Sequence, residues 1–157
     1  MKDVEKLVQL LREKNKYISS MESCTGGCFV NEVTNIPGAS EILKFSAITY
    51  SNEFKIKMSV SSELIDEYSV YSMEVAKDMS KKIGEFTNSD YGIGITGKIN
   101  RSDKENMYGA DNLAYVSIYD KNGDKYYTLS VEMKDMSRED NKKMILNNIV
   151  KVLLQII

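Results

Sequence analysis

Three short segments carry the residue types that could do chemistry. The first, Ser23-Cys24-Thr25-Gly26-Gly27, joins a strand-like run to a helix-like one. In α/β proteins such a junction presents nucleophiles and anion sites, because helix N-terminal N–H groups favour negative charge and Gly admits a ligand close to the backbone. A plain turn with a Ser or Thr cap suits the same residues. The second, Tyr50-Ser51-Asn52-Glu53-Phe54-Lys55, sets a Lys one helical turn after a strand end. A Lys can serve as a base beside a Ser once desolvation lowers its pKa, whereas a solvated Lys does nothing of the kind. The third, Ile93-Gly94-Ile95-Thr96-Gly97, ends a buried strand on a hydroxyl and a flexible backbone position, or simply turns into a loop.

The chain has 157 residues and no His. That count excludes Ser-His-Asp and Cys-His catalysis, His-ligated zinc and imidazole pH switching. Acid–base work near neutral pH then falls to a perturbed Lys, Tyr, Cys or carboxylate. Cys24 and Cys28 are too few for a structural zinc site and lack the Cys-x-x-Cys spacing of a redox pair, so small apolar packing is expected of them. The 21 Lys and Arg against 23 Asp and Glu give a net charge of −2, without the basic excess of a nucleic-acid binder. No apolar run reaches the length of a membrane span, and the first residues lack a signal-peptide core. A reduced, cytoplasmic setting is expected, with both thiols free.

These segments need elements to hold them. Val4, Leu7, Val8 and Leu11 recur at helical spacing and predict a helix over 3–15. A strand over 17–21 follows, then a helix from Cys28 and a turn at Asn35-Ile36-Pro37-Gly38. A second strand is expected over 45–51 and a helix over 52–58. Ser61 and Ser72 each head a hydroxyl-capped helix start, the second leading to an apolar face of Val75, Met79, Ile83 and Phe86. A buried strand over 91–96 gives way to a long polar loop over 98–111. A hairpin over 113–133 turns at Asp120-Lys121-Asn122-Gly123. The last helix, over 138–157, faces Ile145, Ile149, Val152 and Leu153 inward. Crossover and hairpin connections together predict a mixed sheet with helices packed on its faces, in one domain over 1–157.

The three segments, in this order, resemble the C-terminal domain family of the competence/damage-inducible protein CinA, which includes stand-alone nicotinamide-nucleotide amidases. Asn35-Ile36-Pro37-Gly38-Ala39-Ser40, Tyr71-Ser72-Met73-Glu74-Val75-Ala76 and Asp90-Tyr91-Gly92 extend the match over nearly the whole chain. The resemblance implies a three-layer α/β/α sandwich that self-associates as a dimer. It implies hydrolysis of nicotinamide mononucleotide to nicotinic acid mononucleotide and ammonia without metal; no cofactor is expected, and the charge balance and apolar runs lead to no expectation of a nucleic-acid or membrane partner. By the same resemblance Ser23 is the nucleophile, Lys55 its base, and Tyr50 and Thr96 supporting hydroxyls. Thr25, Gly26, Gly27, Gly97 and Arg138 are the expected substrate contacts.

The chain departs from the family pattern at Ser46-Ala47, at Lys98-Ile99-Asn100-Arg101-Ser102-Asp103 and at Asp111-Asn112-Leu113. Those positions hold Gly-rich or Pro-containing text in the family. Lys142 stands near the second of a family Arg pair. A catalytically inactive, ligand-binding or regulatory member of the same family is the alternative reading.

Overall fold

The computed structural model describes residues 1–101, 103 and 109–157. The chain runs α1 (Asp3–Glu13), β1 (Ile18–Glu22), α2 (Cys28–Thr34), β2 (Leu43–Ile48), α3 (Asn52–Lys57), α4 (Ser62–Tyr68), α5 (Met73–Thr87), β3 (Tyr91–Gly97), β4 (Leu113–Asp120), β5 (Lys125–Glu132) and α6 (Arg138–Ile156). One sheet of five strands has the order β2-β1-β3-β4-β5. β2, β1 and β3 run parallel, whereas β3, β4 and β5 pair antiparallel. A βαβ crossover requires parallel neighbours, and a four-residue turn over 121–124, with Asp124 at φ 48°, closes the antiparallel hairpin, so the mixed sheet follows from the connections.

Each sheet face is covered, giving the three-layer α/β/α sandwich. On one face Leu7, Val8 and Leu11 of α1, Phe29 and Val33 of α2, and Ile145, Ile149 and Leu153 of α6 bury against Ile93, Ile95, Val116 and Ile118. On the other, Val75, Met79 and Ile83 of α5 pack with Met21, Ile65 and Val70. α5 lies against β3 because that strand is Gly-rich on its near side. A Cβ at Gly94 would stand 2.3 Å from the Ala76 carbonyl oxygen, and one at Gly92 2.1 Å from that of Ser80, so any side chain would push the helix away.

Several boundaries differ from expectation. The second strand occupies Leu43–Ile48 rather than 45–51. Ser51 caps α3 by accepting the Phe54 N–H, and this cap takes the chain out of extended pairing before Tyr50. Phe86 is 69% exposed and leaves the apolar face of α5, meeting Phe45 of the edge strand instead in a tilted ring contact with 5.5 Å between centroids. Val152 is half-buried, while Leu146, Val150 and Asn141 join the buried side of α6. Of the polar loop expected over 98–111, residues 102 and 104–108 lie outside the described residues. Among the described residues, no helix is long and apolar enough to cross a membrane.

Candidate active site

The carboxyl ends of the three parallel strands meet at one edge of the sheet, where open α/β sheets bind ligands. β1 delivers Ser23, whose N–H bonds the Ile95 carbonyl at 3.0 Å and so extends the ladder by one residue. β2 delivers Thr49, whose N–H bonds the Glu22 carbonyl at 2.8 Å. The chain then turns through Tyr50 and Ser51 into α3, and the first turn of that helix brings Lys55 back over both strand ends.

Lys55 is 2% exposed. Its Nζ donates to Ser23 Oγ at 3.0 Å and to the Thr49 carbonyl at 2.7 Å. Desolvation pushes its pKa down to about 8, against the opposing influence of Cys24 and Asp103. An ammonium in that setting gives up its proton far more readily than a surface Lys, and roughly a tenth of the molecules carry the neutral amine at pH 7. Ser23 is itself buried, at 8% exposure, beside a cavity of about 650 Å³. A hydroxyl in contact with a depressed-pKa amine at a cavity wall is the arrangement that activates a Ser nucleophile without His.

The segment that presents Ser23 is clamped at both ends. Glu22, wholly buried, accepts the Thr25 hydroxyl at 2.6 Å and the Phe29 N–H at 3.0 Å on Oε1, and the Val30 N–H at 3.1 Å on Oε2. α2 has no side-chain cap of its own, since Gly27 stands at that position. The carboxylate of the preceding strand therefore satisfies its orphan N–H groups and complements its dipole. Gly27 needs φ near +99°, and a Cβ there would stand 2.9 Å from Ile48 Cδ1. The Gly26 N–H closes the turn onto the Ser23 carbonyl at 2.9 Å.

The expected site residues divide into two groups. Ser23, Tyr50, Gly97 and Arg138 line the cavity, with Lys55 bonded to Ser23 behind it. Tyr50 is 66% exposed at the rim. Arg138 at the start of α6 donates to the Ile99 carbonyl at 2.8 Å, tying the wall after β3 to that helix. Thr96 and Thr25 have their hydroxyls committed elsewhere. Thr96, fully buried, donates to the Val70 carbonyl at 2.7 Å, and Thr25 donates to Glu22. Gly26 and Gly27 shape the turn below Ser23. Lys142 Nζ stands 3.5 Å from where a Gly26 Cβ would be.

Six cavity residues were not among those expected from the sequence: Cys24, Tyr71, Lys98, Ile99, Arg101 and Asp103. The Tyr71 hydroxyl donates to the Asp103 carboxylate in a short hydrogen bond, and burial with that carboxylate pushes its pKa up. Lys98 Nζ lies 4.7 Å from the Tyr71 ring centroid. The neighbouring thiols are poor nucleophiles. Burial pushes Cys24 up to about 12 and raises Cys28 as well, and both are free. Among the described residues, no cluster of three His, Cys, Asp or Glu side chains could hold a metal ion.

Fold and site together define an α/β/α domain with a Ser–Lys pair at the carboxyl ends of its parallel strands. Sequence comparison gives the class a family: the CinA C-terminal domain profile matches residues 2–157, and the chain belongs to that family. A putative competence-damage inducible protein of Clostridium kluyveri is 34% identical over 142 residues, covering 90% of this chain and 33% of its own length. One from Caldicellulosiruptor saccharolyticus is 42% identical over 94 residues, or 59% of this chain and 23% of its own. The chain thus spans about a third or less of the length of these relatives. Among solved structures, competence damage-inducible protein A from Klebsiella pneumoniae superposes with a TM-score of 0.88 at 16% identity, covering 99% of this chain and 97% of its own. A CinA superfamily protein from Escherichia coli gives 0.83 at 22% identity, covering 98% and 90%.

Proposed function

We propose that the chain is a metal-independent amidohydrolase acting on a pyridine mononucleotide, converting nicotinamide mononucleotide to nicotinic acid mononucleotide and ammonia. The observation that carries this reading is the 3.0 Å contact between Ser23 Oγ and the Nζ of a buried Lys55 whose pKa is lowered to about 8.

In the neutral form Lys55 accepts the Ser23 hydroxyl proton as Oγ attacks the carboxamide carbon. The tetrahedral adduct collapses when the new ammonium returns that proton to the leaving nitrogen, releasing ammonia and leaving an ester on Ser23. Water then attacks the ester with Lys55 again as base, which frees the carboxylate and restores both side chains. The Thr49 carbonyl supports this cycle. It accepts from Nζ at 2.7 Å and keeps the amine aimed while the proton moves. The reading carries with it a small-molecule partner, a cytoplasmic setting and self-association as a dimer.

Ammonia release from nicotinamide mononucleotide by wild type, Ser23→Ala and Lys55→Ala tests the reading. Release by wild type alone is expected, and equal release by all three would exclude it. The alternative, a ligand-binding member without turnover, draws on the three charged residues Lys98, Arg101 and Asp103 that line the cavity where the family pattern has small loop residues. Calorimetric binding of the mononucleotide without ammonia release would favour that alternative.

A further inference from the structure

The chain carries a net charge of −2, yet the charged side chains lining the cavity are Lys98, Arg101 and Arg138 against Asp103. The cavity wall is therefore positive although the chain as a whole is negative. Lys98 is the unusual member. It is 4% exposed, as deeply placed as many core residues, and its backbone N–H is pinned to the Leu113 carbonyl at 3.1 Å, so it cannot swing out with the loop.

An ammonium removed from water needs close compensation, and strong charge-assisted contacts run at roughly 2.7–2.9 Å. Among the described residues, the carboxylate that meets Lys98 is Asp111, at 3.4 Å, and the side chain of Asp111 is itself 53% exposed. The remaining compensation is the face of Tyr71. A buried cation held by a long ion pair and a ring face, on the wall of a cavity that also contains a nucleophile, is placed to receive an anion brought by the ligand.

We propose that Lys98 is the specificity-determining residue of this site, recognising a phosphate monoester on the substrate while Ser23 addresses the amide. This rests on the amidohydrolase reading for its substrate. The bound phosphate replaces the 3.4 Å Asp111 contact with a short charge-assisted one. Arg138 lines the same cavity, but its guanidinium is tied to the Ile99 carbonyl, and it serves as wall before it serves as ligand.

The test compares Lys98→Met, which keeps the length of the stem and removes the charge, with Lys98→Arg, which keeps the charge. Each is assayed on nicotinamide mononucleotide and on nicotinamide riboside, which lacks the phosphate. The ratio of kcat/KM for mononucleotide over riboside is expected to fall about tenfold to a hundredfold in Lys98→Met, the range for loss of one charge-assisted contact. It is expected to fall clearly less in Lys98→Arg, which keeps the charge that attracts the phosphate. A ratio unchanged in Lys98→Met, or lowered equally in both variants, overturns the proposal. Calorimetry in the Ser23→Ala background separates this proposal from the amidase reading. If wild type releases no ammonia from either compound, the amidase reading fails. Lys98 is then judged by whether Lys98→Met weakens mononucleotide binding tenfold or more relative to riboside binding. Wild-type binding of the mononucleotide no tighter than the riboside also overturns the proposal.

Discussion

Lys55→Met should stabilise the protein near neutral pH while removing the proposed chemistry, and the gain should fade in alkali. The folded state holds this amine at about 8, against 10.5 for an ordinary Lys. Between those values the unfolded chain binds more protons than the folded one, so the Lys55 contribution to stability rises with pH across that window. Below about pH 8 the penalty for burying the ammonium is present in full, and the interval between the two values corresponds to about 3 kcal/mol. At pH 10 about 1 kcal/mol of it remains. Met fills most of the stem volume but gives no donor to Ser23 Oγ or to the Thr49 carbonyl, a loss of about 1–3 kcal/mol that does not depend on pH. The net gain at pH 7 is therefore small, about 0–2 kcal/mol from those two magnitudes.

The pH dependence of that gain is the sharper quantity. Wild type and variant share every other titrating group, so the difference between their melting temperatures isolates Lys55. It should shift by about 2 kcal/mol in favour of wild type between pH 7 and pH 10, or roughly 4–8 °C for a chain of this size. Melting curves followed by circular dichroism at pH 6, 7, 8, 9 and 10 read it directly. A difference that stays flat over this range would refute burial as the cause of the depressed pKa, and with it the case for Lys55 as a base at neutral pH.

The activity itself should follow the same group: kcat/KM for the amide rises about tenfold per pH unit below an apparent pKa near 8 and levels above it, since the neutral amine is the working form. A profile flat from pH 6 to 9 would contradict this. Glu22→Gln should lower stability by about 2–3 kcal/mol in urea unfolding, because an amide nitrogen would face one of the N–H groups that the carboxylate now accepts. Thr96→Val should cost about 1–3 kcal/mol by leaving the buried Val70 carbonyl without its donor, seen as a melting temperature lower by roughly 2–12 °C.

Elements with strong periodicity were legible in the sequence. α1 and the β4–β5 hairpin stand almost where the pattern of apolar residues puts them, because each buries one face against the sheet. β2 was less legible. It is an edge strand with mixed exposure, so its pattern carries little register information, and the Ser51 cap decides where it stops. In the site, Ser23 and Lys55 were each legible as candidates beside a plain turn and a solvated Lys; the family resemblance paired them, and the structure puts them 3.0 Å apart. Glu22 could have been read as well: a lone acidic residue ending an otherwise buried strand must find donors, and the uncapped Gly27 helix start supplies them. Tyr71, Lys98 and Asp103 had no such signal. Lys98 looks in sequence like any of the 21 Lys and Arg, and only the folded wall after β3 shows it buried.

The mixed sheet divides the work for a geometric reason. Parallel neighbours end at the same edge, roughly 4.8 Å apart, so the residues just past β1 and β2 are brought side by side whatever their side chains. Ser23 and Thr49 occupy those two positions, each fixed by a backbone N–H to the adjoining strand. A single helical turn from Ser51 then suffices to return the Lys55 stem over both. An antiparallel neighbour would offer the beginning of a strand at that edge, with the chain arriving rather than leaving, and a short return helix could not be built there. Accordingly, among the described residues, none from β4 or β5 lines the cavity. Their part is to anchor its wall, through the Lys98 N–H bonded to the Leu113 carbonyl and through Ala114, whose Cα would lie 2.5 Å from any Cβ at Gly97. The parallel half thus carries the Ser–Lys pair, and the antiparallel half fixes where the Lys98 stem enters the cavity wall.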